Sequence, residues 1–181
     1  PTPVSGGALA VELTTASPVV VPALPGVDQS SLAAAYEECA ALTRARARNF
    51  YYGLRLTPEP RRSALYSIYA WMRHADDCVD TAGTVEHRRA ALWRYRAMTE
   101  MVLSGEMPDE DPARFWLAFA ATVRSYPFDP SIIRDMLGGL EEDLDHEWYR
   151  TEQELWHYCY QVASTVGLAC VTIWGTRPGA D

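Results

Sequence analysis

At 181 residues, 48% hydrophobic and 22% charged, the chain is long enough for one domain with a real core and too short for two. A net charge of -8 and a pI near 5.0 argue against a nucleic-acid partner, which needs a basic stripe, and leave any anionic substrate to be met by metal ions or a locally placed arginine. Four scattered cysteines, Cys39, Cys78, Cys159 and Cys170, form no C-x-x-C pair, so neither a disulfide framework nor a zinc site is indicated and a reducing cytoplasm fits best.

Residues 1–30, rich in Pro, Gly, Ser, Thr, Ala and Val without helical period, read as a flexible tail ahead of a domain over 31–181. This start lacks the charged and compact apolar regions of a secretory signal, and no apolar run approaches the about 18 residues of a membrane span. From Ser31, "SLAAAYEECAALTRARARNF" is dense in helix formers, with Asp28, Ser30 and Ser31 as candidate caps. A second helix is expected from Pro58 to Thr81, capped by Thr57, and a third from Thr84 to Ser104, stopped by Gly105. Asp111-Pro112 and Asp129-Pro130 mark the starts of a fourth and a fifth, and Thr151 with Glu154 makes a capping box for a sixth. The β-branched run "SPVVVPAL" is punctuated by proline on both sides, so the chain reads as all-α.

The second helix ends in "HADDCVD", three aspartates within five residues. At about 100° per residue, Tyr69, Arg73, Asp76 and Asp80 fall within roughly 60° of one another, with Asp77 to one side. Asp76 and Asp80 repel across one turn and sit where the helix dipole disfavours anions, so the local electrostatics are wrong unless a cation binds there. A hard divalent ion such as Mg²⁺, which takes one or two carboxylates plus phosphate oxygens and water, suits such a pair; a solvated acidic face is the plainer alternative. A histidine-rich metal phosphohydrolase site would need imidazoles in ligand pairs, and His74, His87, His146 and His157 supply none.

The stretch "ARNFYYGLRLTPEPRRSALYSIYAWMRHADDCVD" resembles the first block of the squalene and phytoene synthase family, whose helix ends in Y-A-x-x-R-x-x-D-D-x-x-D. A second stretch, "DMLGGLEEDLDHEWYRTEQELWHYCYQVASTVGLA", is similar to that family's G-x-x-x-D-L followed by Y-x-T-x-x-E-L-x-x-Y-C-Y-x-V-A-G-T-V-G. The resemblance, covering about Ser31 to Gly175, implies an isoprenoid-synthase-type helical bundle that condenses two farnesyl or two geranylgeranyl diphosphates head-to-head, releasing diphosphate. It places Asp76, Asp77 and Asp80 as the Mg²⁺-binding acids and Arg73 as a diphosphate ligand. Tyr69 and Phe50 are implied as aromatic lining of the prenyl pocket, Tyr160 as a tyrosine near the reacting carbons, and Val162, Ala163 and Val166 as tunnel lining. NADPH is implied only for a squalene product, and the expected product leans to C30.

Two departures stand out. Ala47 and Asn49 replace the family's serines, so their hydroxyl contribution to diphosphate binding is either lost or replaced by the Asn49 amide, and Ser164 stands where glycine is usual. Such enzymes also carry a second aspartate-rich motif beyond the position of Asp181, so the chain reads as C-terminally truncated. The acids Glu141, Glu142, Asp143 and Asp145 read mostly as a solvated face, with Asp143 matching the acid of G-x-x-x-D-L. A non-catalytic helical module that binds prenyl diphosphate is the competing expectation. Product hydrophobicity suggests peripheral attachment to the inner face of the membrane, although no amphipathic anchor stands out. Oligomeric state has no signature.

Overall fold

The computed structural model describes residues 24, 26–108, 113–145 and 148–176. Among them are eight α-helices and no strand: α1 (Gln29–Arg46), α2 (Arg48–Leu54), α3 (Arg61–Asp80), α4 (Val85–Ser104), α5 (Phe115–Ser125), α6 (Pro130–Asp145), α7 (Glu152–Cys159) and α8 (Thr165–Trp174). The last two are joined by a π-helical turn, Tyr160–Ser164. No helix among the described residues is long and apolar enough to cross a membrane.

The expected single helix from Ser31 is two, because Ala47 leaves the helical region at φ -137° and ψ 62°. Its N–H still closes α1 on Thr43, while its carbonyl opens α2 by accepting from Tyr51. Residues 24 and 26–30 of the expected tail are part of the folded unit, and the rest of it lies outside the described residues. Leu24 is buried, and Asp28 caps α1 through the Ser31 N–H at 2.9 Å. The run "SPVVVPAL" and the Asp111-Pro112 signal lie largely or wholly outside the described residues. The cap of α3 also differs from expectation: the Glu59 carboxylate, rather than Thr57, accepts from the Ser63 N–H at 3.1 Å. Three signals hold. Thr84 accepts from the His87 N–H, Gly105 ends α4 at φ 100°, and Thr151 accepts from the Glu154 N–H at 3.1 Å. The Glu154 carboxylate reaches back to the Arg150 N–H, one residue beyond the usual box partner.

Helix α3 is the hub, packing against α1, α4, α5, α6 and α8. Its central side chain, Trp71, is fully buried, stacks on Phe119 of α5 with centroids 5.1 Å apart, and donates its indole N–H to Thr99 of α4 at 3.0 Å. Ser67 and Tyr36 both meet the Thr122 hydroxyl, at 2.6 and 3.2 Å, tying α1, α3 and α5 through polar groups that burial would otherwise penalise. Because the inner half of α3 is locked on these neighbours, its C-terminal turns present a fixed stripe of charge toward α6 and the π turn.

Candidate active site

Tyr69, Arg73, Asp76 and Asp80 share one face of α3, as the spacing dictates. The Arg73 guanidinium lies 2.5 Å from Asp77, 3.6 Å from Asp80 and 4.0 Å from Asp76, while its buried Nε has no partner. One permanent cation thus serves three anions. Asp76 bears the worst of the crowding: its own burial, then the carboxylates of Asp80, Asp77 and Asp143, push it up to about 6 against the pull of Arg73. Burial likewise raises Tyr69, which lies in the field of Arg73 and of Arg46 from α1. Arg46 is an exposed cation near this face that the sequence reading did not single out.

Among the described residues, no group of three or more His, Cys, Asp or Glu side chains is arranged to hold a metal ion. Of the three acids placed at the metal by the resemblance, Asp77 is engaged most closely by Arg73, leaving Asp76 and Asp80 one turn apart. That pair still fits Mg²⁺ arriving with a diphosphate, which needs only one or two protein carboxylates. His74 stacks its ring on Phe115 with centroids 4.2 Å apart.

Beside Asp76 a cavity of about 60 Å³ opens between α3, α6, the π turn and α8, walled by Met72, Leu140, Gln161, Val162 and Val166 among others. Its walls are apolar except for Asp76 and Gln161, so it is suited to the hydrocarbon next to a diphosphate. A larger cleft of about 740 Å³ lies between α1, α2 and the start of α3, lined by Tyr36, Tyr51, Tyr52 and Tyr66, and includes none of the acids of the stripe. The smaller cavity is therefore the better candidate.

The structure gathers Asp76, Val162 and Val166 at this cavity, with Tyr69, Arg73 and Asp80 along the stripe beside it. It does not gather the rest. Phe50 and Asn49 are exposed on α2, Phe50 by 65%, and Ala163 is exposed on the outer side of the π turn. Tyr160 is 39% exposed and faces Asp135 of α6. Tyr158 takes the place beside the acids: its hydroxyl donates to Asp143 at 2.7 Å, a bond that pushes its pKa up and keeps the phenol protonated, and its ring packs 5.0 Å from Tyr149. Two tyrosines at i and i+2 point to opposite sides of a helix, and sequence alone cannot say which side is inward.

The acids of α6 lie on a partly solvated face, Asp143 and Asp145 exposed and Glu141 and Glu142 half-buried, and each has a partner there. Glu141 pairs with Arg96 at 2.9 Å, Asp145 with Arg89 at 2.5 Å, and Glu142 lies 3.8 Å from the His157 imidazole. These partly exposed pairs contribute about 0–1 kcal/mol each. Arg134 with Glu100, at 2.8 Å, fixes the other end.

The sequence profile of the squalene/phytoene synthase family matches residues 43–181. A 15-cis-phytoene synthase of Synechococcus elongatus is 37% identical over 156 residues, covering 86% of this chain and 49% of that protein. Phytoene synthase 1 of Arabidopsis thaliana, a chloroplastic protein, is 39% identical over 156 residues, 86% of this chain and 36% of that one. Among solved structures, squalene synthase HpnC from Alicyclobacillus acidocaldarius superposes with a TM-score of 0.73 at 26% identity, covering 87% of this chain and 57% of the other. A dehydrosqualene synthase crystallised with a ligand gives 0.70 at 25%, covering 80% and 48%. The chain spans half or less of the length of these phytoene synthases. With both characteristic blocks in place on an all-α bundle, the chain belongs to the squalene/phytoene synthase family.

Proposed function

We propose that this protein is a head-to-head prenyl synthase that condenses two allylic diphosphates with loss of diphosphate. The observation that carries the reading is the junction at Asp76, where a stripe of carboxylates interleaved with Arg73 meets an apolar cavity walled by Val162 and Val166. A diphosphate would lie along the stripe, with Arg73 and Arg46 donating to its oxygens and only the allylic end of the prenyl chain reaching the cavity, whose volume is about 60 Å³. Asp76 and Asp80 would hold Mg²⁺, which when bound would supply positive charge to the departing diphosphate. The chain's own residues do the rest: Met72, Val162 and Val166 keep water from the allylic cation, and Tyr158, fixed by Asp143, stands at the mouth of the acid wall. The named phytoene synthases support C20 substrates and a C40 product over the C30 product favoured by sequence alone; that reaction needs no nicotinamide.

The test is to incubate the full-length protein with C15 and C20 diphosphates and Mg²⁺, with and without NADPH, and to measure released diphosphate and hydrocarbon. A C40 product independent of NADPH is expected, and the Asp76→Asn/Asp80→Asn double variant is expected to lose about 100-fold or more of the rate. Binding without turnover in the wild type would replace this reading by the non-catalytic binding module. A double variant at full rate would overturn the metal role.

Attachment to a membrane surface belongs to the same proposal. Residues 44–62 hold six of the chain's sixteen basic residues against one acid, Glu59, which pairs with Arg62 at 2.7 Å. Arg44, Arg48, Arg55 and Arg61 are exposed, as are Leu56 by 89% and Tyr52 by 58%. In a chain of net charge -8 this local inversion complements an anionic lipid surface, at about 1 kcal/mol per arginine. Co-sedimentation with phosphatidylglycerol but not phosphatidylcholine vesicles, weakened at least tenfold by Arg44→Glu/Arg55→Glu, is expected; equal binding to both lipids would refute it.

A further inference from the structure

Gln161 sits in the π turn, 8% exposed, with its side chain in the wall of the cavity beside Asp76. Its Oε1 is sealed from solvent and accepts no hydrogen bond. A desolvated carbonyl without a donor costs a fold about 1–3 kcal/mol, and most proteins remove it by pairing or by substitution. Here the surroundings are arranged to keep it. The amide nitrogen lies against Gly138, only 2.6 Å from where a Cβ would stand, and the neighbouring Val162 lies 2.7 Å from the corresponding point on Gly139. The paired glycines admit the π turn, which places one buried amide in a lining that is otherwise apolar but for Asp76.

We propose that Gln161 is held without a partner for the allylic cation, its amide carbonyl acting as a fixed dipole at the hydrocarbon side of the site. This rests on the reaction proposed above. In that reaction the C–O bond of the allylic diphosphate breaks heterolytically and both electrons leave with the diphosphate oxygen. The allyl unit carries the positive charge until the double bond of the second substrate donates its electron pair. Gln161 forms no bond and moves no proton. Its oxygen meets positive charge where water, the ordinary partner of a carbonyl, would capture the cation as an alcohol. A dipole already desolvated and fixed by Gly138 and Gly139 needs no reorganisation when that charge appears.

The variants Gln161→Met and Gln161→Leu remove the dipole and keep an apolar side chain of similar length. In the full-length protein with C20 diphosphate and Mg²⁺, kcat is expected to fall about tenfold or more with KM within about twofold, and the share of prenyl alcohol to rise. The melting temperature is expected to hold or rise, because an unsatisfied acceptor has been replaced by a hydrocarbon. A purely structural glutamine would give the reverse: a lower melting temperature with rate and product pattern following the folded fraction. Wild-type rate and product in either variant would overturn the proposal, and so would failure of both to fold. If the wild type itself releases no diphosphate, the reaction has failed and this role with it; if only the variants behave as wild type, this role alone has failed.

Discussion

Asp76 carries an energetic load that can be weighed against its function. Its carboxyl is pushed from 3.8 to about 6 by burial and neighbouring acids, so the folded state holds the proton more tightly than the unfolded chain does. Stability contributed by this group is therefore present at low pH, declines as pH rises between about 4 and 6, and remains lost above that window. The full shift sets a ceiling of about 3 kcal/mol for the cost of ionised Asp76 at pH 8. Its side chain is 41% exposed, so solvent screening reduces the figure to about 1 kcal/mol. Asp76→Asn removes the charge, keeps the shape and leaves Arg73 paired with Asp77 at 2.5 Å. Calorimetric melts of the metal-free protein are expected to show the variant about 3 °C more stable than wild type at pH 8 and indistinguishable from it at pH 4. A variant less stable than wild type at pH 8, or a gain of equal size at both pH values, would refute the assignment of strain to this carboxylate.

Tyr158→Phe removes the hydroxyl that Asp143 accepts and is expected to lower kcat/KM at least tenfold, whereas Tyr160→Phe should stay within about twofold; steady-state diphosphate release compares them, and the opposite order would return the role to Tyr160. Gly139→Ala gains about 1 kcal/mol of helix propensity but drives a methyl into Val162, an overpacking cost of about 1–3 kcal/mol. Urea denaturation should show a net loss of about 1 kcal/mol that Gly139→Ala/Val162→Ala largely recovers, and an unchanged midpoint in the single variant would show that the π turn can move aside.

Most helix boundaries were legible because they are set by local chemistry. Thr84, Gly105, Pro130 and Thr151 each satisfy or relieve backbone groups within a turn of themselves, and the sequence names them directly. The breaks at Ala47 and in the 160–164 turn were not legible, since alanine, valine and glutamine carry no stop signal and packing of the flanking helices decides the departure. The same division holds at the site. The stripe of Arg73, Asp76 and Asp80 follows from helical period alone, because all three ride on one element. Arg46, Asp143, Tyr158 and Gln161 come from α1, α6, α7 and the π turn, and their convergence depends on how those elements are oriented around α3. The basic segment 44–62 was readable by counting charges locally; the overall excess of acid concealed it.

The π turn between α7 and α8 bears on how this sequence tolerates insertions and deletions. A π turn accommodates one residue more than an α-helix of the same rise, so the two flanking helices are out of phase by about 100° relative to a continuous rod. Loss of any one residue among 160–164 would let the ladder of hydrogen bonds run through unbroken. It would also turn α7 about its axis, carrying Tyr158 away from Asp143 while leaving α8 seated through Ala169 and Ile173. The spare residue is thus a phase setting: a single-residue deletion there would yield a more regular helix and a misaligned active site, a lesion that composition and helix propensity would both score as harmless.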